Sequence, residues 1–453
     1  MHNPYIVGNY VIGRHHYGRH RLIDHLLNSP DDAVWVVGNR RMGKTSLLRQ
    51  IEFLTSAQGG PYVPIFWDMQ GCETGADLAR ELYYAFEDAA GRLSALGIDV
   101  SSLEYAEVRD LLRIVQRAAQ SQGRKILLLI DEAEALINVG RRDAQELQRL
   151  RKALQAGQSL RVIMTSTKAL TEVNDLADEW ATSPFLFGFG LRNLWELDWQ
   201  SSQALIRQTQ SDLPVSASDE VVEAICEHTN RHPYLMQVLC QRLWQEDNSL
   251  RMPTEADLAV DDMLASFCMI DFRYLAPTER RILLAVSERG LVHEADLSAL
   301  VDQPPATVKA FVYGLVRLGY LRQVYGQLAV GNQFLGNWLR EHYAELVTET
   351  QSKITDRSTK ELVLRGRRQE LAYLQEQLRI QQDNLRELER QRSQFGLRVP
   401  LDLINEINIT RREIERLRWE IEPLLEAETL DRQNTGTTTG TGDASSPHTP
   451  LEE

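Results

Sequence analysis

The chain has 453 residues, too many for one hydrophobic core, and its length suggests about three domains. Its 64 acidic residues outnumber 50 lysines and arginines, giving a formal charge of −14 that argues against nonspecific adhesion of the whole surface to nucleic acid or anionic membrane. No apolar run approaches a membrane span, MHNPYIVGNY lacks a signal peptide's apolar core, and Cys72, Cys226, Cys240 and Cys268 show no metal or disulfide spacing, so a cytoplasmic setting is expected.

In chain order, residues 1–30 read as a leader and residues 31–198 as a doubly wound α/β core built on a parallel sheet. The run AVWVV, Ala33 to Val37, predicts the first strand, and GNRRMGKTS follows it directly, ahead of the helical pattern LLRQIEFL. The spacing Gly38-x-x-x-x-Gly43-Lys44-Thr45 is that of a phosphate-binding P-loop. Glycines there allow successive N–H groups to converge on phosphate oxygens at a helix N-terminus. The expected phosphate contacts are therefore Gly38, Asn39, Arg40, Arg41, Met42, Gly43, Lys44, Thr45 and Ser46, with Lys44 at the β/γ-phosphates and the Thr45 hydroxyl on Mg²⁺.

A second strand is expected over Val63 to Trp67, followed by helices in ADLARELYYAFEDAAGRL and EVRDLLRIVQRAA. The five apolar residues Ile126 to Ile130 read as a buried parallel strand, with Asp131 and Glu132 at its carboxyl end, where α/β sheets place ligands. Asp131 is the expected Mg²⁺ carboxylate and Glu132 the base that activates water, while Glu134 reads as a solvated helix residue. A fourth strand, Leu160 to Ser166, ends in Thr165 and Ser166 with Lys168 just beyond; γ-phosphate sensing and simple strand-end capping are equally open there. A fifth short strand is expected at Leu194 to Leu197.

These residues give the chain a resemblance to STAND-type P-loop ATPases, an AAA+-related signalling branch, and in particular to archaeal-ATPase-like members of bacterial conflict systems. The leader NPYIVGNYVIGRHHYGRHRLIDHLL resembles that family's element ahead of the P-loop, in which Tyr17, Gly18 and Arg19 would line the adenine pocket. The segment TNRHPYLMQVLCQRLW resembles the helical lid, expected over 199–272, and would put Pro233 near the base or ribose. The stretch from APTERRILLAVSERG to YGQLAV resembles a winged helix, expected over 273–345. The likeness spans residues 3 to 345 and implies ATP and Mg²⁺ as cofactors and slow, regulatory ATP hydrolysis. The chain departs from AAA+ custom in having no obvious arginine finger, with Arg192 and Arg231 as the candidates; Arg40 and Arg41 match the family's RR-x-GKTS variant, where they touch phosphate or cover the loop. His15, His16 and His20 cluster without cysteine or carboxylate partners and read as surface residues.

Over 352–430, Leu364, Leu371, Leu378 and Leu385 recur at seven-residue spacing, as do Ile407, Ile414 and Ile421 beyond a Gly/Pro-marked turn, which predicts an antiparallel coiled-coil hairpin. Packing on its own winged helix, self-association and binding of a protein partner are all open roles for it. The Thr/Gly/Ser-rich segment 431–453 is expected to be disordered. Two functions then stand: a nucleotide-controlled switch acting on a partner, or a DNA-associated loader or remodelling ATPase that uses the winged helix. The predicted recognition helix carries only Lys309 and Arg317, which favours the switch.

Overall fold

Five consecutive buried residues, three of them valines, leave Ala33–Val37 (β1) no amphipathic choice, and it forms a strand covered on both faces. The computed structural model describes residues 3–57, 59–155, 159–171, 173, 185–186, 188–352 and isolated positions between 378 and 421. With β1 go Tyr62–Asp68 (β2), Lys125–Asp131 (β3), Leu160–Ser166 (β4) and Gly190–Asn193 (β5), all parallel, in the order β2-β3-β4-β1-β5. His20–Asn28 (α1) precedes β1, and the helices between the strands include Lys44–Thr55 (α2), Gly75–Asp88 (α3), Ala90–Ser94 (α4), Val108–Ser121 (α5), Ala135–Arg142 (α6) and Ala144–Leu154 (α7).

Alternation along the strands sorts the core into two layers. Trp35, Ile65, Trp67, Leu128 and Val162 pack with α3, α5 and α7, whereas Val34, Val36, Phe66, Leu129 and Ile163 pack with Ile23 of α1 and Leu47, Leu48 and Ile51 of α2. The sheet is therefore doubly wound, as its alternating sequence pattern predicts. The fifth strand is a correction, since it occupies Gly190–Asn193 rather than Leu194–Leu197. Hydrogen bonding to β1 decides its position, and after Leu194 donates to the Val37 carbonyl (2.7 Å) the chain leaves the sheet. Leu194 then packs under the α1/α2 layer and Leu197 joins the helices that follow, so their apolar character serves other cores.

The chain divides into two units, one running through Leu275 and including Val316–Gln323 and Ala329–Tyr343, the other comprising Ala276–Leu315, Val324–Leu328 and the residues from Ala344 on. In the first, Trp199–Ile206 (α8), Asp219–Thr229 (α9), Pro233–Leu243 (α10) and Asp262–Tyr274 (α11) share a core with Tyr5 and Tyr17 of the leader. The second contains Pro277–Arg289 (α12), Glu294–Val301 (α13) and most of Pro305–Arg317 (α14). The hairpin Leu321–Val324 (β6) and Gln327–Val330 (β7) follows, its two-residue turn made by Tyr325 and Gly326, both at positive φ (49° and 79°) as tight hairpins require.

Most of the expected coiled coil and all of 431–453 lie outside the described residues. Within it, Leu378, Leu385, Ile407, Ile414 and Ile421 are helical, and the three isoleucines are buried. Arg411 pairs with Glu389 at 2.6 Å. Among the described residues no helix is long and apolar enough to cross a membrane.

Candidate functional site

β1 delivers the P-loop at the carboxyl edge of the sheet. Gly38 N–H donates to the Ser166 carbonyl (3.1 Å), and a Cβ on Gly38 would stand 3.0 Å from Leu194 Cβ, so the close approach requires glycine. Gly43 turns the chain into α2 at φ 88°. That helix starts with no side-chain cap and no acid in its first turn, which leaves its N–H groups and positive dipole end for an anion.

Lys44 is 6 % exposed, and its Nζ donates to the carbonyls of Gly38 and Asn39, each at 3.2 Å. Among the described residues no carboxylate stands within ion-pair distance of it. A buried ammonium hydrogen-bonded only to neutral carbonyls, and attracted to Glu132 and Asp271 without direct pairing, is incompletely compensated, and phosphate oxygens supply what it lacks. Beside it the Thr45 hydroxyl donates to Asp131 Oδ2 (2.6 Å), and the Thr165 hydroxyl donates to Asp131 Oδ1 (2.5 Å). A hydroxyl and a carboxylate this close fit a divalent cation shared with phosphate oxygens. The described residues contain no group of three or more protein metal ligands.

Glu132 follows Asp131 at φ 50°, a conformation uncommon for a side chain this size. Burial raises the pKa of its carboxyl, the charge of Glu134 adds to the rise, and Lys44 opposes it. Glu134 itself corrects the sequence reading: it is not solvated, for Oε1 accepts the Thr167 N–H at 2.5 Å and Oε2 is buried. Of the three sensor candidates, Thr165 is wholly buried on Asp131. Ser166 is wholly buried too, accepting from Trp35 Nε1 (2.7 Å) and donating to the Thr167 carbonyl (2.8 Å). Lys168 lies in the short 3-10 turn beyond. The residue of this segment that lines the cavity is Thr167.

That cavity, about 720 Å³ and contained in the first unit, is walled by the leader, the P-loop from Arg40 to Ser46, Glu132, Thr167 and the helices α10 and α11. Of the residues proposed for the adenine pocket, Tyr17, Arg19 and Pro233 line this cavity and Gly18 does not. Gly18 instead sits at φ 76° where a Cβ would fall 2.6 Å from Ser201 Oγ, so it lets the leader lie close against α8. His16 is a second correction: it is buried and lines the cavity, and burial, helped by Arg19, lowers its pKa to about 4. Pattern reasoning missed Tyr10, Gln70, Tyr234, Met263, Phe267 and Ile270, which also line it. Of these only the last three carried a signal, the four- and three-residue spacing Met263, Phe267, Ile270, which continues to Tyr274 on one face of α11.

Three P-loop side chains contact residues that follow the sheet in the chain. Asn39 Nδ2 donates to the Leu318 carbonyl. Arg40 lies over the Tyr274 ring (5.1 Å) and 3.8 Å from Asp271, and Arg41 lies over Tyr234 (5.2 Å). Burial pushes the Asp271 carboxyl up to about 7 against the pull of Arg40 and Lys44. His232, whose ring caps α10, is pushed down to about 4 by burial and stays neutral. From the other side the leader fastens lid to core: Tyr5 Oη donates to the Ile206 carbonyl (2.5 Å), Val11 N–H to Ser46 Oγ (3.1 Å) and Gly13 N–H to Gln50 Oε1 (2.7 Å).

Residues 27–173, from the end of α1 past β4, match the family model of the AAA domain. The core is an AAA domain. Its P-loop and the acids at the end of β3 give this domain the parts of a P-loop ATPase. The fold is similar to that of a Walker-type ATPase of Pyrococcus abyssi, with 18% identity over 72% of this chain and 96% of that one and a TM-score of 0.54. Weaker likenesses link it to the ORC2 protein of Aeropyrum pernix in its ADPNP–ADP complexes (13% identity, 76% and 98% covered, TM-score 0.46) and to the RuvB Holliday junction branch migration motor of Thermotoga maritima (17%, 69% and 92%, 0.34). No curated protein matches the chain significantly.

Neither arginine-finger candidate is directed at the AAA domain's own cavity. Arg192, on β5, bonds His25 Nε2 (2.7 Å) and faces Asp31 (3.5 Å), and Arg231 pairs with Glu196 (3.3 Å). Around the domain's leader one steric test is direct. Gly18→Ala is expected to lower stability by about 1–3 kcal/mol, part from strain at positive φ and part from the clash with Ser201. Adding Ser201→Gly should recover only the second part in thermal melts; an unchanged melting temperature for the single variant would refute this close approach.

Proposed function

We propose that this AAA-type ATPase is a molecular switch of the STAND type, in which ATP bound under the lid sets the arrangement of lid and winged helix and the C-terminal coiled coil passes that state to a protein partner or a second copy. In this reading Lys44 and the P-loop N–H groups hold the phosphates, Thr45 and Asp131 hold Mg²⁺, and Glu132 activates water, while Tyr17, Arg19 and Pro233 flank the base. Mg²⁺ would supply charge neutralisation at the β- and γ-oxygens. One observation carries the switch reading over that of a plain ATPase. Three consecutive P-loop side chains, Asn39, Arg40 and Arg41, bind Leu318, Asp271 with Tyr274, and Tyr234, so phosphates settling in the loop act directly on the residues that hold the lid.

The DNA-associated alternative draws no comparable support. Arg317, one of the two basic residues on the expected recognition helix, lies over the Trp195 ring (5.1 Å), and Arg322 of the hairpin donates to the Glu227 carbonyl (3.1 Å). Neither is left to face phosphate.

The switch reading predicts that Arg40→Ala separates binding from response. ATP affinity should stay within about threefold of wild type, since in this reading the guanidinium serves Asp271 and Tyr274 and not the phosphates, while coupling of about 1–3 kcal/mol between nucleotide and lid is lost. The readout is the difference between ATP and ADP states in sedimentation and in proteolysis of the lid. A wild-type protein whose shape, assembly and cleavage pattern ignore nucleotide would end the proposal.

A further inference from the structure

The last residues of β4 are tied down one by one. Thr165 donates to Asp131 (2.5 Å), Ser166 accepts from Trp35 on β1 (2.7 Å), and the Thr167 N–H donates to Glu134 (2.5 Å). Backbone bonds reinforce this, from Ala133 N–H to the Thr165 carbonyl (3.2 Å) and from Gly38 N–H to the Ser166 carbonyl (3.1 Å). Of the three hydroxyls only that of Thr167 makes no hydrogen bond among the described residues, and Thr167 lines the cavity together with Glu132.

Glu134 has an ordinary alternative task, because it stands at the N-cap position of α6. It does not perform it: its φ of −53° and ψ of −26° are already helical, and its side chain makes no capping bond. The carboxylate instead reaches across to the neighbouring strand's exit, with Oε2 buried and without a partner among the described residues. Burying a carboxylate oxygen without a partner is costly, and a residue needed only to start a helix would not incur that cost.

We infer that Glu134 is a positioning residue for ATP hydrolysis, one that clamps the Thr167 backbone so that the Thr167 hydroxyl is presented to the cavity on the side of Glu132. The inference rests on Glu132 being the residue that acts on water. The clamp joins the exits of β3 and β4, so the hydroxyl of Thr167 and the carboxylate of Glu132 keep a fixed separation whatever the lid does. A charged acceptor suits the purpose because a hydrogen bond to a carboxylate is shorter and stiffer than one to a neutral group.

The test compares Glu134→Ala, Glu134→Gln, Thr167→Ala and the Glu134→Ala/Thr167→Ala pair with Glu132→Gln in the full chain, measuring MgATP affinity and binding stoichiometry by calorimetry and kcat by phosphate release. Glu134→Ala should lower kcat about tenfold or more with affinity within about threefold and full stoichiometry, the signature of lost positioning rather than lost folding. Glu134→Gln keeps an oxygen for the Thr167 N–H and should restore most of kcat. In the Thr167→Ala background Glu134→Ala should cost much less than alone. Wild-type kcat in Glu134→Ala or in Thr167→Ala, additive losses in the pair, or a Glu134→Ala defect that appears as lost binding sites would each overturn the inference. Wild-type kcat in Glu132→Gln would instead overturn the assignment beneath it.

Discussion

Lys44→Ala is expected to weaken ATP binding on the order of 100-fold or more, the cost of removing one member of a desolvated, hydrogen-bonded charge pair. The nucleotide-free protein should not suffer equally. Lys44 is 6 % exposed and its ammonium has two neutral carbonyls at 3.2 Å as partners, so without phosphate its burial is a liability to the fold. Truncation relieves that cost while leaving a gap the size of a side chain, and the melting temperature without nucleotide should move by a few degrees at most. What should vanish is the rise in melting temperature on adding ATP, because a ligand that no longer binds the native state cannot stabilise it. Calorimetric titration and thermal melts on the same preparation check both halves. Near-normal affinity would mean that the buried cation serves the loop's own carbonyls and that the site is not the P-loop its sequence describes.

What the sequence made legible is what local chemistry alone decides. β1 and the middle of β3 are uninterrupted apolar runs and β4 is apolar over Val162 to Met164, as a doubly covered sheet demands, and the structure places all three within a residue of expectation. The pairing of Thr45 with Asp131 across 86 positions was legible for a different reason, since a phosphate loop has no use without a carboxylate on a nearby strand. β5 was not legible, because a half-buried edge strand reading Gly-Leu-Arg-Asn owes its place to hydrogen bonds from β1 and not to its own pattern. Glu134 was misread because its partner, Thr167, lies 33 positions away at the end of another strand, and nothing in DEAEAL announces it. For Arg40 and Arg41 the sequence left phosphate contact and loop cover both open; in the structure they lie over aromatic rings more than 190 positions further along, which no local pattern announces.

Glu132→Gln is expected to behave quite unlike Lys44→Ala, binding ATP with wild-type affinity and hydrolysing it on the order of 100- to 1,000-fold more slowly, as loss of a general base entails. The substitution preserves the side chain's shape, so the turn at the end of β3, where Glu132 adopts its unusual φ of 50°, should persist. It also removes a carboxylate that Lys44 attracts, and since that attraction acts in the nucleotide-free protein, ground-state ATP binding should lose nothing and gain slightly. If nucleotide state controls the lid through Asn39, Arg40 and Arg41, this variant is held in the ATP arrangement, and assembly or partner engagement that needs ATP should persist or increase in it while failing in Lys44→Ala. Slow wild-type turnover is compatible with such a switch, which needs a long-lived ATP state and has no arginine of its own among Arg192 and Arg231 directed at the cavity. Sedimentation and phosphate release for the two variants, each with ATP and with ADP, separate the possibilities. Should Glu132→Gln lose assembly just as Lys44→Ala does, hydrolysis and not the ATP-bound state would be driving the conformational change, and the protein would have to be regarded as a motor instead of a switch.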